Sequence, residues 1–169
     1  MALGNKLKLI ALSGALAGAL ALAACSTQGA AGDAAATVEP AVHPVSGLAV
    51  IPLTVTTANG QRHRFRVEVA ATGAEQQRGL MFRTEMGADE GMIFPLAQVR
   101  MASFWMHNTV IPLDIIFIGP DRKVINIQAN AVPYSDTSLP STAPAMAVLE
   151  LNGGRAAQLG IGPGDTVEW

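Results

Sequence analysis

Residues 113–118, Leu-Asp-Ile-Ile-Phe-Ile, are apolar at every position except Asp114. Successive side chains of a strand point to opposite faces, so such a run needs cover on both sides. It demands a central strand in a packed β structure, and the surrounding chain must supply its neighbours. The turn Gly119-Pro120-Asp121-Arg122 follows. A returning arm then sets Val124, Ile127 and Ala129 among Asn126, Gln128 and Asn130, so one of its faces is wetter.

Those neighbours are visible along the rest of the chain. "GLAVIPLTVTT" and "HRFRVEVA" are β-rich runs joined by "ANGQ", whose Asn59-Gly60 is a hairpin signal, so the two pair antiparallel. Arg62, Arg64 and Arg66 share one face of the second run, where they form a solvated edge. "GAEQQRGLMFR" holds helix formers around Arg78, and Gly79 limits it to one or two turns. "GMIFPL" is a short strand that Pro95 ends or places at a sheet edge. "MAVLELN" and "GDTVEW" are further strands, with a short helix in "GGRAAQLGI" between them. The pattern is mainly β: a single compact β-sandwich or jelly-roll-like domain with one or two short helices.

The first 46 residues read differently. Lys6 and Lys8 precede a stretch from Leu9 to Ala24 that carries no charge, the build of a secretory signal peptide over residues 1–24. Leu22-Ala23-Ala24-Cys25 resembles the lipobox of bacterial lipoproteins, in which cleavage precedes the cysteine and its thiol receives a diacylglycerol. Cys25 is the sole cysteine of the chain, and lipidation would account for it. Residues 25–46 then form a lipid-bearing, disordered tether of Ala, Gly, Pro and Thr with little to bury. A coil of about 20 residues spans roughly 25 Å, enough to hold a domain over residues 47–169 clear of a membrane. Ser26 after the cysteine favours the outer membrane, facing the periplasm.

Charge narrows the partners. The formal net charge is −2 and no basic cluster stands beyond the alternating arginines, so nucleic acid is not an expected partner. No metal or other cofactor is expected either. The histidines lack ligand spacing, the methionines lack dense Met-X-Met clustering, and the glycines of "NGGRAAQLGIGPG" lack the lysine of a nucleotide loop.

The stretch "SFWMHNTVIPLD", residues 103–114, concentrates the remaining chemistry. Phe104 and Trp105 face opposite ways, so Trp105 is available as the wall of a cleft. Stacking of a sugar ring on an indole beside amide and carboxylate groups would suit such a wall. His107 has a reference pKa of ~6.5 that suits general-base work, although a turn histidine without a role is the simpler account. Asp114 in a core strand must be answered by an arginine, Arg78 or Arg83, or by backbone donors of the His-Asn-Thr turn, and as such an anchor it would be architectural. Glu150 with Asp114 offers an acid–base pair of the glycosidase kind, which requires a separation of ~5–9.5 Å.

Taken together, "RGLMFR", "EGMIFPL", "FWMHNTVIPLDIIFI", "VLELNGGRAAQLGI" and "GDTVEW" closely resemble the DUF192 family of bacterial and archaeal proteins, from about Ile51 to Trp169. The resemblance implies a compact β-sandwich and no established activity. His107 departs from the lysine or arginine that relatives often carry there. Three functions stay open. One is a non-catalytic envelope lipoprotein that binds a glycan or a protein segment through Arg78, Trp105, His107, Asn108, Asp114 and Glu150. Another is a hydrolase or lyase acting on envelope carbohydrate with Asp114 and Glu150. The third is a scaffold subunit without a small-molecule site.

Overall fold

The computed structural model of the chain describes residues 41–169. The expected signal peptide, Cys25 and most of the expected tether lie outside the described residues. Strands β1 (Ala41–Val42), β2 (Ala49–Thr56), β3 (Arg62–Val69) and β4 (Glu90–Arg100) come first, with helix α1 (Gly73–Arg78) between β3 and β4. Strands β5 (Ser103–Phe104), β6 (Leu113–Ile118), β7 (Val124–Ala131), β8 (Leu139–Pro140) and β9 (Ala145–Asn152) follow, then α2 (Arg155–Leu159) and β10 (Thr166–Glu168). The fold is mainly β with two short helices.

One sheet runs in the order β1-β2-β3-β4-β9-β6-β7, and β10 pairs with β2. β10 also reaches the other end of that order. Lys123 bridges Thr166, Val124 N–H donates to Asp165 O at 2.9 Å, and Val167 N–H donates to Arg122 O at 2.8 Å. The sheet therefore curls until β10 joins its two margins, and the layers of the domain are opposite walls of one sheet.

The interior holds Leu53, Val55, Phe65, Val67, Ile93, Ile116, Ile118, Leu149, Leu151 and Val167. The alternate residues of β4, β6 and β9, among them Met92, Phe94, Ile115, Phe117 and Val148, face outward under Leu80, Ala102, Met106 and the β5–β8 ribbon. Every residue of β6 is buried, which is why its apolar run is nearly unbroken.

The hairpin β2–β3 has the antiparallel register expected around Asn59-Gly60, and Gly60 takes a φ of 82°. β3 and β4 pair in parallel, Arg66 opposite Glu90 through Val69 opposite Ile93, with α1 as the crossover. The ladder ends where Ala70 N–H donates to Ile93 O. Past that point β4 is paired on one side only, so Pro95 lacks an amide where none is required.

The domain begins before the expected boundary at Gly47. Ala41 and Val42 pair with Val50 and Ala49, so residues 41–46 pack on the domain instead of continuing the tether. They cover Glu68, a 3 % exposed carboxylate on β3. Arg83 grips it with two bonds of 2.9 and 3.1 Å, Ser46 Oγ donates to it, and His43 Nδ1 lies 3.6 Å away. Arg83, one candidate partner of Asp114, is thus committed to Glu68.

Candidate functional site

The site is assembled on the outward face of β4 and β9. Thr72 and Glu75 form a reciprocal capping box that starts α1, and the Glu75 carboxylate accepts the amides of Ala71 and Thr72 at 2.8 and 2.7 Å. Gln76 Nε2 donates to Ala70 O and Pro95 O at 3.1 and 2.7 Å, which pins the helix to the sheet. Arg78 is the last helical residue. Gly79, at φ 46°, turns the chain so that Leu80 enters the core and Arg78 stays outside.

The opposite wall comes from β5 and the loop after it. Phe104 packs edge-on against Phe94 and Phe117, at centroid distances of 5.1 and 6.1 Å. Trp105, one residue on, points outward and is 51 % exposed. The His107 ring stacks on the indole at 4.9 Å and 24°, and its Nδ1 lies 2.7 Å from Asp136 Oδ1. Met106 is fully buried and anchors the loop, while its amide donates to Ser135 O.

Between these walls lies a cavity of about 230 Å³. Arg78, Arg100, Phe104, Trp105 and His107 stand around it, and Glu150 lines it from β9. Glu150 is 5 % exposed, and burial pushes its carboxyl up to about 8. Burial is the sole cause: no hydrogen bond or counter-charge opposes it, and among the described residues no side-chain hydrogen bond reaches this carboxyl. A neutral carboxyl in an apolar setting can donate one hydrogen bond and accept others.

Four of the six candidate residues, Arg78, Trp105, His107 and Glu150, line this one cavity. Asn108 lines the adjoining depression with Arg78, Trp105 and His107, and its φ of 53° places its carbonyl to accept the Phe82 amide. Asp114 lies elsewhere. It is 0 % exposed and accepts from the amides of Asn130 and Gly154 through Oδ1, at 2.9 Å each, and from Ala156 through Oδ2 at 2.8 Å.

No arginine pairs with Asp114, and the His-Asn-Thr turn supplies none of these donors. Asp114 is therefore an anchor and not a ligand contact as the sequence suggests: it ties the end of β7 to the start of α2. The catalytic pairing with Glu150 fails for the same reason, because the two carboxyls leave the sheet on opposite faces. Arg100 and Asp136 were not singled out in the sequence. Nothing local marks them, since each reaches the site only through pairing between distant strands and loops.

The family model DUF192, described as an uncharacterised conserved group, matches residues 54–169. The chain belongs to the DUF192 family. Two solved structures resemble this DUF192 domain. A protein of unknown function from Novosphingobium aromaticivorans superposes with a TM-score of 0.75 and 65 % identity, over 79 % of this chain and 94 % of that one. A candidate transcription regulator from Sinorhizobium meliloti gives 0.70 and 40 %, over 72 % of this chain and 94 % of that one. No functionally curated protein matches the chain.

Proposed function

We propose that this DUF192 domain is a non-catalytic binding module, carried on an envelope lipoprotein, that receives one ring of a glycan in the cavity lined by Arg78, Trp105, His107 and Glu150. The observation that carries this reading is Glu150. Its carboxyl faces the cavity without a hydrogen-bond partner from the protein, and a ring hydroxyl entering the cavity would supply one. The exposed face of Trp105 suits the apolar side of the same ring. The cavity lies below the ~300–1,000 Å³ of drug-sized pockets, which suits one ring better than an extended peptide. A net charge of −2 argues against nucleic acid as a ligand of this chain.

The binding test is a titration of the full chain in detergent micelles with a panel of monosaccharides, followed by the Trp105 indole N–H resonance. Saturable shifts that vanish in Glu150→Ala support the reading. No shift with any sugar at millimolar concentration would end it.

Address is tested separately. Cys25→Ser should accumulate as an uncleaved precursor, and normal cleavage to a soluble product would remove the lipoprotein part.

A second reading, a hydrolase or lyase with Glu150 as general acid, is favoured by a carboxyl that keeps its proton near neutral pH. Turnover of an aryl glycoside that is lost in Glu150→Gln would select it.

A further inference from the structure

The charges around the cavity narrow the ligand beyond a generic sugar. Four titratable side chains line it: Arg78 from α1, Arg100 from the end of β4, His107 from the loop after β5, and Glu150 from β9. His107 is matched by Asp136. The ion pairs among the described residues join His43 and Arg83 to Glu68, Arg62 to Glu168, Arg155 to Asp89, and His107 to Asp136. Neither Arg78 nor Arg100 belongs to one. Arg78 rests 4.8 Å over the Phe82 ring, and Arg100 Nη1 donates only to the Met101 carbonyl at 3.2 Å.

The single acid of the cavity does not cancel these two cations, because Glu150 is neutral where they are charged. An acidic protein thus carries a concave, aromatic-walled place whose mouth is positive. Such a mouth attracts anions and repels ammonium ligands. Guanidinium groups present planar forks that match a carboxylate and hold it better than they hold a neutral hydroxyl.

We propose that the ring received here carries a carboxylate: the ligand is an acidic sugar whose carboxylate meets Arg78 and Arg100 at the mouth while a ring hydroxyl accepts a hydrogen bond from Glu150. This rests on the cavity being a glycan site, and it adds the charge of the glycan. The apolar edge of the ring lies toward Phe104 and Trp105. Selection among sugars is then set by charge at the mouth, and depth of entry by the carboxyl below.

The full chain in detergent micelles at pH 7 is titrated with glucuronate, glucose and glucose 6-phosphate. The signal is the Trp105 indole N–H, told apart from Trp169 by the Trp105→Phe variant. Glucuronate should bind about tenfold or more tightly than glucose, and added salt should narrow the gap. The double variant Arg78→Ala/Arg100→Ala should bring the two constants together. Its thermal melt should match the parent, because both side chains are exposed. Equal binding of glucuronate and glucose would overturn the acidic-ligand claim and leave the glycan site standing. A preference for glucose 6-phosphate would overturn the carboxylate assignment, and so would a glucuronate preference that survives in the double variant. No saturable shift with any of the three would overturn this inference and the glycan reading together.

Discussion

Asp114 and Glu150 sit on adjacent strands, one register step apart, yet their carboxyls point to opposite faces of the sheet. In the β6–β9 ladder Asp114 stands opposite Leu151, an interior residue, and Glu150 stands opposite Ile115, an outward one. The two environments divide the roles. Asp114 accepts hydrogen bonds from three backbone donors. Glu150 has none, and burial holds its proton in place.

Asp114→Asn should destabilise the domain without touching the cavity. The amide oxygen can still accept from Asn130 and Gly154, but its NH₂ group would face the Ala156 N–H, donor against donor. Leaving the buried Ala156 N–H without an acceptor is expected to cost about 1–3 kcal/mol. Urea unfolding at unchanged slope measures it. A variant as stable as the parent would contradict the anchoring role.

Removing residues 41–46 should cost stability, although their composition reads as tether. A chain beginning at Gly47 leaves Glu68 with Arg83 but without Ser46 and His43, and opens that ion pair to water. The expected loss is about 1–3 kcal/mol relative to a chain beginning at Ala41. Equal melting temperatures for the two would show that the segment adds nothing.

Residues 41–46 also illustrate what local pattern conceals. The alternation of "HRFRVEVA" places Glu68 on the same wet face as Arg62, Arg64 and Arg66, and that parity is correct. Glu68 is buried nonetheless, because a segment and a loop remote in sequence lie over it. The hairpin at Asn59-Gly60, the doubly covered β6 and both short helices were legible, since each follows from residues adjacent in the chain. The parallel β3–β4 pairing and the closure through β10 were not, because alternation tells which way a side chain faces and never which strand lies beside it. The same limit applied to the candidate site. The unusual content of residues 103–108 marks Trp105 and His107. Pairing Asp114 with Glu150 required the register of β6 on β9, which no residue states.

Trp105→Ala should be cheap in stability and expensive in binding. The side chain is half exposed, and its defined aromatic contact is the stack on His107. A stack of this kind is worth about 0.5–1.5 kcal/mol, against ~3–5 for truncating a buried aromatic. Thermal or urea unfolding gives the first number and a sugar titration the second. A loss above about 3 kcal/mol would mean that the indole supports the core and is no cleft wall.

Glu150 makes the stability of the domain depend on pH in a direction opposite to most carboxylates. The folded chain keeps this proton until about pH 8, whereas the unfolded chain releases it near the ordinary 4.5. Between those values the folded state holds one more proton than the unfolded state, so stability from this group is greatest below the lower value and falls as pH rises. The slope is about 1.4 kcal/mol per pH unit, and it levels off once both states are ionised. Glutamine keeps the shape without the proton equilibrium. Glu150→Gln should therefore match the parent near pH 4 and become the more stable protein as pH rises, by on the order of a few kcal/mol at pH 8 to 9. Taking the difference between the two proteins cancels the titration of every other group. Urea midpoints of both, collected from pH 4 to 9, trace that difference, and a constant offset across the range would show that Glu150 ionises in the folded domain as an ordinary carboxylate does.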